Sequence, residues 1–177
     1  AFILHVVLTQ SFRIEEPPVP VTLVNAAGVN VNDFLLELRK LPEQVLDAFN
    51  AAGWTYCIDF DYMGGLSKKL NMSCIGATDY SQKTIYISEA SATLHEFGHF
   101  LDLLLGFPAE HEQLFRAEAA AAPLRNYAKT DGREYFADYF AYWVKYVGNT
   151  NAISLLQECT PMTFRYMEEV TILQWPN

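Results

Sequence analysis

Leu94-His-Glu-Phe-Gly-His-Phe-Leu-Asp102 is the stretch on which the reading of this chain turns. It sits inside a helical pattern running from Ala92 to Leu105. At about 100° per residue, His95 and His99 differ by only about 40° around the helix axis and stand one turn apart, so both imidazoles can chelate one ion. Glu96, next to the first of them, then lies beside water polarised by that ion and can take its proton as a general base.

A catalytic zinc takes three protein ligands and keeps one position open. Asp102 and Leu105 stand three and six residues past His99, where a metzincin would carry Gly and His, so the third ligand comes from elsewhere. His5 reads as a packed histidine in an apolar β-like stretch, and His111, between Glu110 and Glu112, as the exposed start of a helix; both stay open as alternatives. Glu134-Tyr-Phe-Ala-Asp138 is the better source. Its acids are one turn apart in a helical pattern otherwise built of Phe136, Ala137, Phe140, Ala141 and Trp143, and carboxylates in so apolar a stretch need partners. Glu134 is the expected third ligand to one Zn2+ ion, and Asp138 the expected acceptor for the free ring N–H of a ligating histidine.

Outward from these motifs, the chain reads as α+β. Residues 1 to 14 alternate and cluster β-branched and aromatic types, and the apolar opening Ala1–Leu8 is expected to be a first strand rather than a signal peptide, because it lacks a basic start and a small-residue cleavage site. Three prolines in Glu15–Pro20 then make a connector. A short strand over Val21–Val24 and two helices, one capped by Asn32-Asp33 and one over Pro42–Ala52, follow. Trp54 to Ser88, rich in aromatics and broken by Gly64-Gly65 and Gly76, predicts strands joined by turns, Thr84–Ile87 being the clearest. Beyond Ser91 helical periodicity dominates: Ala92–Leu105, Glu110–Ala122, Arg133–Val147 and Thr163–Leu173. A single domain over residues 1–177 is expected, with residues 1–102 as one part and the helical residues 103–177 as the other.

Composition removes several function classes. Twelve Lys and Arg against 21 Asp and Glu give a net charge of -9, which offers no basic footprint for nucleic acid. No apolar run approaches the ~20 residues that cross a bilayer, so no membrane partner is expected. Three cysteines, Cys57, Cys74 and Cys159, form no CxxC pair and are too few for a disulfide framework; one Cys57–Cys74 bridge is the pairing left open.

Leu94–Asp102, then Tyr127, then Glu134-Tyr-Phe-Ala-Asp-Tyr-Phe140 resemble the catalytic domain of anthrax lethal factor and its relatives, which include the secreted bacterial Pro-Pro endopeptidases. Thr160-Pro-Met-Thr-Phe164 extends the likeness. The resemblance implies a zincin-like metallopeptidase fold, with a small twisted mixed sheet and helices first, a mainly helical part after it, and the active-site helix between. It implies His95, His99 and Glu134 as zinc ligands, Glu96 as base and Tyr127, seven residues before the ligand Glu, as oxyanion donor. It also implies a secreted, monomeric endopeptidase acting on peptide or protein substrates, proline-containing ones among them. In the family a strand before the motif helix pairs with substrate; here Thr84, Ile85, Tyr86 and Ile87, or the preceding Cys74–Tyr80, would supply it, with Trp54, Tyr80 and Tyr86 as candidate subsite aromatics. Arg133 is a further candidate substrate contact and a departure, standing where the Pro-Pro endopeptidases carry an acidic residue. The contrasting readings are a non-hydrolytic zinc-binding or toxin-associated module that keeps the fold, and a zinc hydrolase of small molecules.

Overall fold

The computed structural model describes residues 19–172. The strand expected over residues 1–14, with His5, lies outside them. Within them, eight α-helices accompany one four-stranded mixed sheet.

Strands β1 (Leu23–Asn25), β2 (Thr55–Ile58), β3 (Gly76–Asp79) and β4 (Thr84–Ile87) are ordered β1-β2-β4-β3. The first three in that order run parallel, and β3 returns antiparallel along β4 at the edge. Helices α1 (Asn32–Leu38) and α2 (Glu43–Ala51) bury Phe34, Leu35 and Leu38, and Val45, Leu46 and Phe49. Neither Asn32 nor Asp33 caps α1; instead the Asn30 side chain accepts from the Asn32 N–H at 2.9 Å.

The stretch expected to hold only strands and turns contains a further helix, α3 (Phe60–Leu70), with Gly64 and Gly65 in its middle. Each glycine costs about 1 kcal/mol against alanine there. The cost is offset by a cap in which Asp59 accepts from the Tyr62 N–H at 2.8 Å, by burial of Met63, by Tyr62 stacking 3.7 Å above Tyr86, and by Asn71 ending the helix at φ 54.

Helix α4 (Thr93–Leu104) follows a 3₁₀ turn at Ala90–Ala92 and is buried on every side from Thr93 to Asp102. One side meets an aromatic cluster in which Phe97 and Phe100 lie 4.8 and 5.1 Å from Phe49, and Trp54 lies 5.1 Å from Phe100. Tyr56 Oη and Thr93 Oγ1 share a 2.7 Å hydrogen bond that ties its start to β2. The opposite side meets α6 (Gly132–Tyr146), whose Tyr135, Phe136, Ala137, Tyr139 and Phe140 are buried. Gly98 makes that approach possible, because a Cβ there would stand 2.6 Å from Ala137 Cα and 2.7 Å from its carbonyl oxygen.

The helical part is completed by α5 (Ala109–Glu118), α7 (Thr150–Cys159) and α8 (Pro161–Ile172). Helix α7, which the periodicity did not mark, is capped by Asn149 accepting from the Ala152 N–H and contributes Leu156 to the core. The buried Glu118 carboxylate accepts from the Met162 and Thr163 N–H groups at 2.8 Å, so a side chain of α5 closes the start of α8. All three cysteines are free thiols.

Replacing Gly98 with alanine should therefore overpack the α4–α6 contact and cost about 1–3 kcal/mol, whereas Gly64→Ala, whose Cβ meets nothing within 4 Å, should add about 0.5–1 kcal/mol. Urea denaturation of the two variants beside the parent protein measures both.

Candidate metal centre

Two helices build the centre from opposite sides. Helix α4 carries His95, Glu96 and His99, and the first two turns of α6 carry Glu134 and Asp138. Asp131 starts α6 by accepting from the Arg133 and Glu134 N–H groups at 2.9 and 3.0 Å, which places Glu134 in the first turn, where the helix dipole favours a carboxylate.

His95 Nε2, His99 Nε2 and Glu134 Oε2 form a triangle with sides of 3.2, 3.1 and 3.4 Å. Glu134 Oε2 is buried and makes no well-aligned hydrogen bond, although both imidazoles touch it. Three ligands at the 2.0–2.1 Å typical of tetrahedral zinc stand about 3.3 Å apart. The triangle has that size, and two imidazoles with one carboxylate are a donor set suited to zinc rather than to magnesium or calcium.

His95 Nδ1 lies 2.7 Å from Asp138 Oδ1. An ionised carboxylate only accepts, so Nδ1 carries a proton and Nε2, facing Glu134, is the nitrogen whose lone pair a metal would take. Arg125 donates to the same carboxylate through Nε at 2.6 Å and Nη2 at 2.7 Å. Its Nη2 is also 3.1 Å from His95 Nδ1, but both are donors, and Asp138 Oδ1 is the acceptor they share. Arg125 was not singled out by the sequence reading. Its signal was available: a buried carboxylate has two oxygens, and one imidazole N–H satisfies only one of them.

These contacts set the proton affinities. Burial depresses the His95 imidazole, but Asp138 and Glu134 outweigh it and raise its pKa to about 9. Burial raises Glu134 and Asp138, yet His95 and His99 for the first, and His95 and Arg125 for the second, hold both below the ordinary carboxylate range. Glu96 is different: burial pushes its carboxyl up, the direction that suits a group that must take and return a proton.

Glu96 reaches toward the sheet. Thr78 Oγ1, on β3, donates to Glu96 Oε2 at 2.8 Å, and Gly76 lies so close that a Cβ there would stand 2.6 Å from Oε1. No spacing rule marks Thr78 or Gly76 in the sequence. Tyr127 lies in a 3₁₀ turn, Asn126–Lys129, on the other side of the centre, 41% exposed, its ring 6.0 Å from that of His95. Partial burial and the Glu134 charge push its phenol up to about 12, so it stays a protonated donor at neutral pH.

A cavity of about 830 Å³ opens over these residues, between β3 on one side and α6 with the Tyr127 turn on the other. One end is formed by Phe107, held at φ 53 directly after Gly106 at φ 77, by Tyr80, and by Arg133. A left-handed backbone at an aromatic residue costs about 1–3 kcal/mol, and here it turns the Phe107 ring into the lining.

Residues 33–170 match the family model described as "Anthrax toxin lethal factor, N- and C-terminal domain". The chain belongs to this family. Its fold is similar to that of the Pro-Pro endopeptidase PPEP-2 from Paenibacillus alvei, with a TM-score of 0.59 and 18% identity over 84% of this chain and 96% of that one. No curated protein matches.

Within this lethal-factor-like fold three expectations change. Thr84, Ile85, Tyr86 and Ile87 form β4, paired on both sides, with Ile85 and Ile87 fully buried, so β4 has no edge to offer a peptide. Of the two candidate stretches it is β3, within the alternative Cys74–Tyr80, that lies at an edge among the described strands. His111 does lie at a helix start, but it is buried: its ring stacks 3.8 Å from Phe136, Nδ1 lies 2.8 Å from Asp102 Oδ1 and Nε2 3.0 Å from the Tyr166 hydroxyl. Of the candidate aromatics only Tyr80 lines the cavity; Trp54 belongs to the core, and Tyr86 stacks on Tyr62.

The shifted groups make stability depend on pH. His95 gains proton affinity on folding, so its contribution is present below about pH 6.5 and is lost as pH rises to about 9. Glu134 and Asp138 lose proton affinity, so theirs is present above the ordinary values of 4.5 and 3.8 and is lost in more acid solution. Metal-free protein should resist urea best between about pH 4.5 and 6.5, and His95→Gln should flatten the alkaline limb of that profile. Asp138→Asn should weaken zinc binding about 10–100-fold, measured by competition with a chromophoric chelator.

Proposed function

We propose that this chain is a zinc-dependent endopeptidase. The observation that carries the reading is the placement of the buried Glu96 carboxylate beside the His95–His99–Glu134 triangle, in a cavity bordered by the free side of β3. His95, His99 and Glu134 hold the metal, and Asp138 with Arg125 fixes the His95 tautomer. Zinc, when bound, polarises the scissile carbonyl and acidifies the attacking water.

The remaining work falls to side chains of this protein. The substrate main chain pairs along β3, whose other edge no described strand occupies, and this lays its carbonyl across the centre. Glu96 accepts the proton of the attacking water and passes it to the leaving amine nitrogen. Thr78 orients the Glu96 carboxyl through Oε2. Tyr127 donates its phenolic hydrogen to the oxygen that becomes negative, from the side opposite β3. Action outside the cell, by a monomer that forms a single catalytic domain, belongs to the same proposal and rests on the family resemblance. Arg133 beside Glu134 departs from that resemblance, so proline-containing peptides are one class to be tested among others.

Mass-spectrometric cleavage profiling of a diverse peptide library tests the proposal, with zinc-loaded protein beside a chelated control. Glu96→Gln should lose about 10²–10⁴-fold in kcat/KM while still binding zinc, and Tyr127→Phe about 10²–10³-fold, mainly in kcat. Gly76→Ala should also lower kcat with zinc retained, because its Cβ displaces the Glu96 carboxyl. Wild-type rates in Glu96→Gln, or cleavage that survives chelation, would refute the mechanism. Zinc-loaded protein that cleaves nothing would favour a binding module.

A further inference from the structure

The cavity over the metal centre is lined by five acids, Glu96, Asp102, Glu112, Asp131 and Glu134, and by two arginines. Most of these charges are already engaged. Arg125 is bound to Asp138, Glu112 to Arg116 and the Gly132 N–H, Asp131 to the start of α6, and Glu96 to Thr78. Arg133 is the exception. Among the described residues its guanidinium makes no ion pair; it lies 4.4 Å above the Phe107 ring.

That placement has a chemical consequence. A guanidinium carbon over an aromatic face is held by cation–π attraction and uses up none of its N–H donors, which stay available in the fork that matches a carboxylate with two parallel hydrogen bonds. The platform is itself fixed. Phe107 is held at φ 53 by its N–H donating to the Asp102 carbonyl at 2.9 Å, and its ring meets Tyr80 edge-on at 5.4 Å. Tyr80 directly follows β3, the strand we assign to substrate pairing, and Arg133 directly precedes Glu134. The cation and the donor triangle line the same cavity.

We propose that Arg133, stacked on Phe107, is a carboxylate-binding subsite, and that the preferred substrates carry a carboxylate close to the scissile bond. This rests on the endopeptidase reading of the same centre. The carboxylate has two sources, an Asp or Glu side chain or the free C-terminus of a short peptide, and both present the same two oxygens to the guanidinium.

The test uses short N-acetylated peptides in matched pairs, Asp against Asn and Glu against Gln at each position, each made as free acid and as C-terminal amide. With zinc-loaded wild type, the carboxylate member of at least one pair should be cleaved about tenfold faster in kcat/KM. That ratio should fall to near one in Arg133→Gln and invert in Arg133→Glu, which should prefer Lys-bearing peptides. A preference for the free acid over the amide whatever the side chain assigns the subsite to the substrate C-terminus; a preference for Asp over Asn or Glu over Gln that persists in the amides assigns it to a side chain. Ratios within twofold of one in wild type, or ratios that Arg133→Glu leaves unchanged, overturn the proposal. Binding of the same pairs to zinc-loaded Glu96→Gln, with and without Arg133→Gln, separates the two readings. If nothing is cleaved yet a carboxylate preference in Kd disappears with Arg133→Gln, the subsite stands and the peptidase reading falls. If peptides are cleaved and neither rate nor Kd depends on the carboxylate, the peptidase stands and the subsite falls.

Discussion

Gly98 lets two helix backbones touch, and the candidate metal centre exists because they do. With a Cβ at that position α4 and α6 would have to move apart, since its nearest neighbours would be backbone atoms of Ala137 rather than the end of a flexible side chain. The donor triangle straddles the same contact: His95 and His99 flank Gly98 on one helix, and Glu134 and Asp138 flank Ala137 on the other. Sides of 3.1–3.4 Å leave little tolerance, so packing density in the core sets the size of the site. The aromatic cluster on the far side of α4 and the capping of α8 by Glu118 hold that helix pair from outside.

Placing so many ionisable groups in a hydrophobic interior is costly unless each finds a partner. The structure meets this by sharing. Asp138 serves His95 and Arg125 together, so a charge leaning in from an otherwise solvent-facing loop steadies an imidazole deep in the protein. Glu96 has a single neutral donor, Thr78, and burial is left to raise its proton affinity. Two carboxyls of one cavity are driven in opposite directions by their surroundings, Glu134 toward the anion and Glu96 toward the acid, the split that the proposed roles of ligand and base call for. A further set, the buried Asp102 and His111 with the half-buried Tyr166, joins α4, α5 and α8 by hydrogen bonds and belongs to the scaffold of α4.

The cleft also stores backbone strain. Gly106 and Phe107 both adopt left-handed backbone just after α4 ends, and the chain accepts this at an aromatic residue whose ring becomes one wall of the cavity. Against that wall lies the Arg133 cation. Family membership accounts for the fold; the residues around the centre carry the argument about chemistry.

What the amino-acid sequence determined by itself was whatever local geometry can carry. A four-residue interval on a helix puts His95 and His99 on one face wherever the helix goes, and the same interval joins Glu134 to Asp138 in a stretch too apolar to leave a carboxylate without a partner. The mixed α+β character and the main helices of the second half follow from periodicity in the same way, although the capped α3, with two glycines on its open side, gave a turn-like signal. Tertiary structure alone decided which candidate strand lies at an edge among the described strands, that His111 is buried, and that Thr78, Gly76, Arg125 and Phe107 stand around the centre. These partners are separated along the chain by 13 residues for Arg125 and Asp138, 18 for Thr78 and Glu96, and 55 for His111 and Tyr166. No local period links positions so far apart; only the packing of the sheet and the helices against one another brings them within a hydrogen bond.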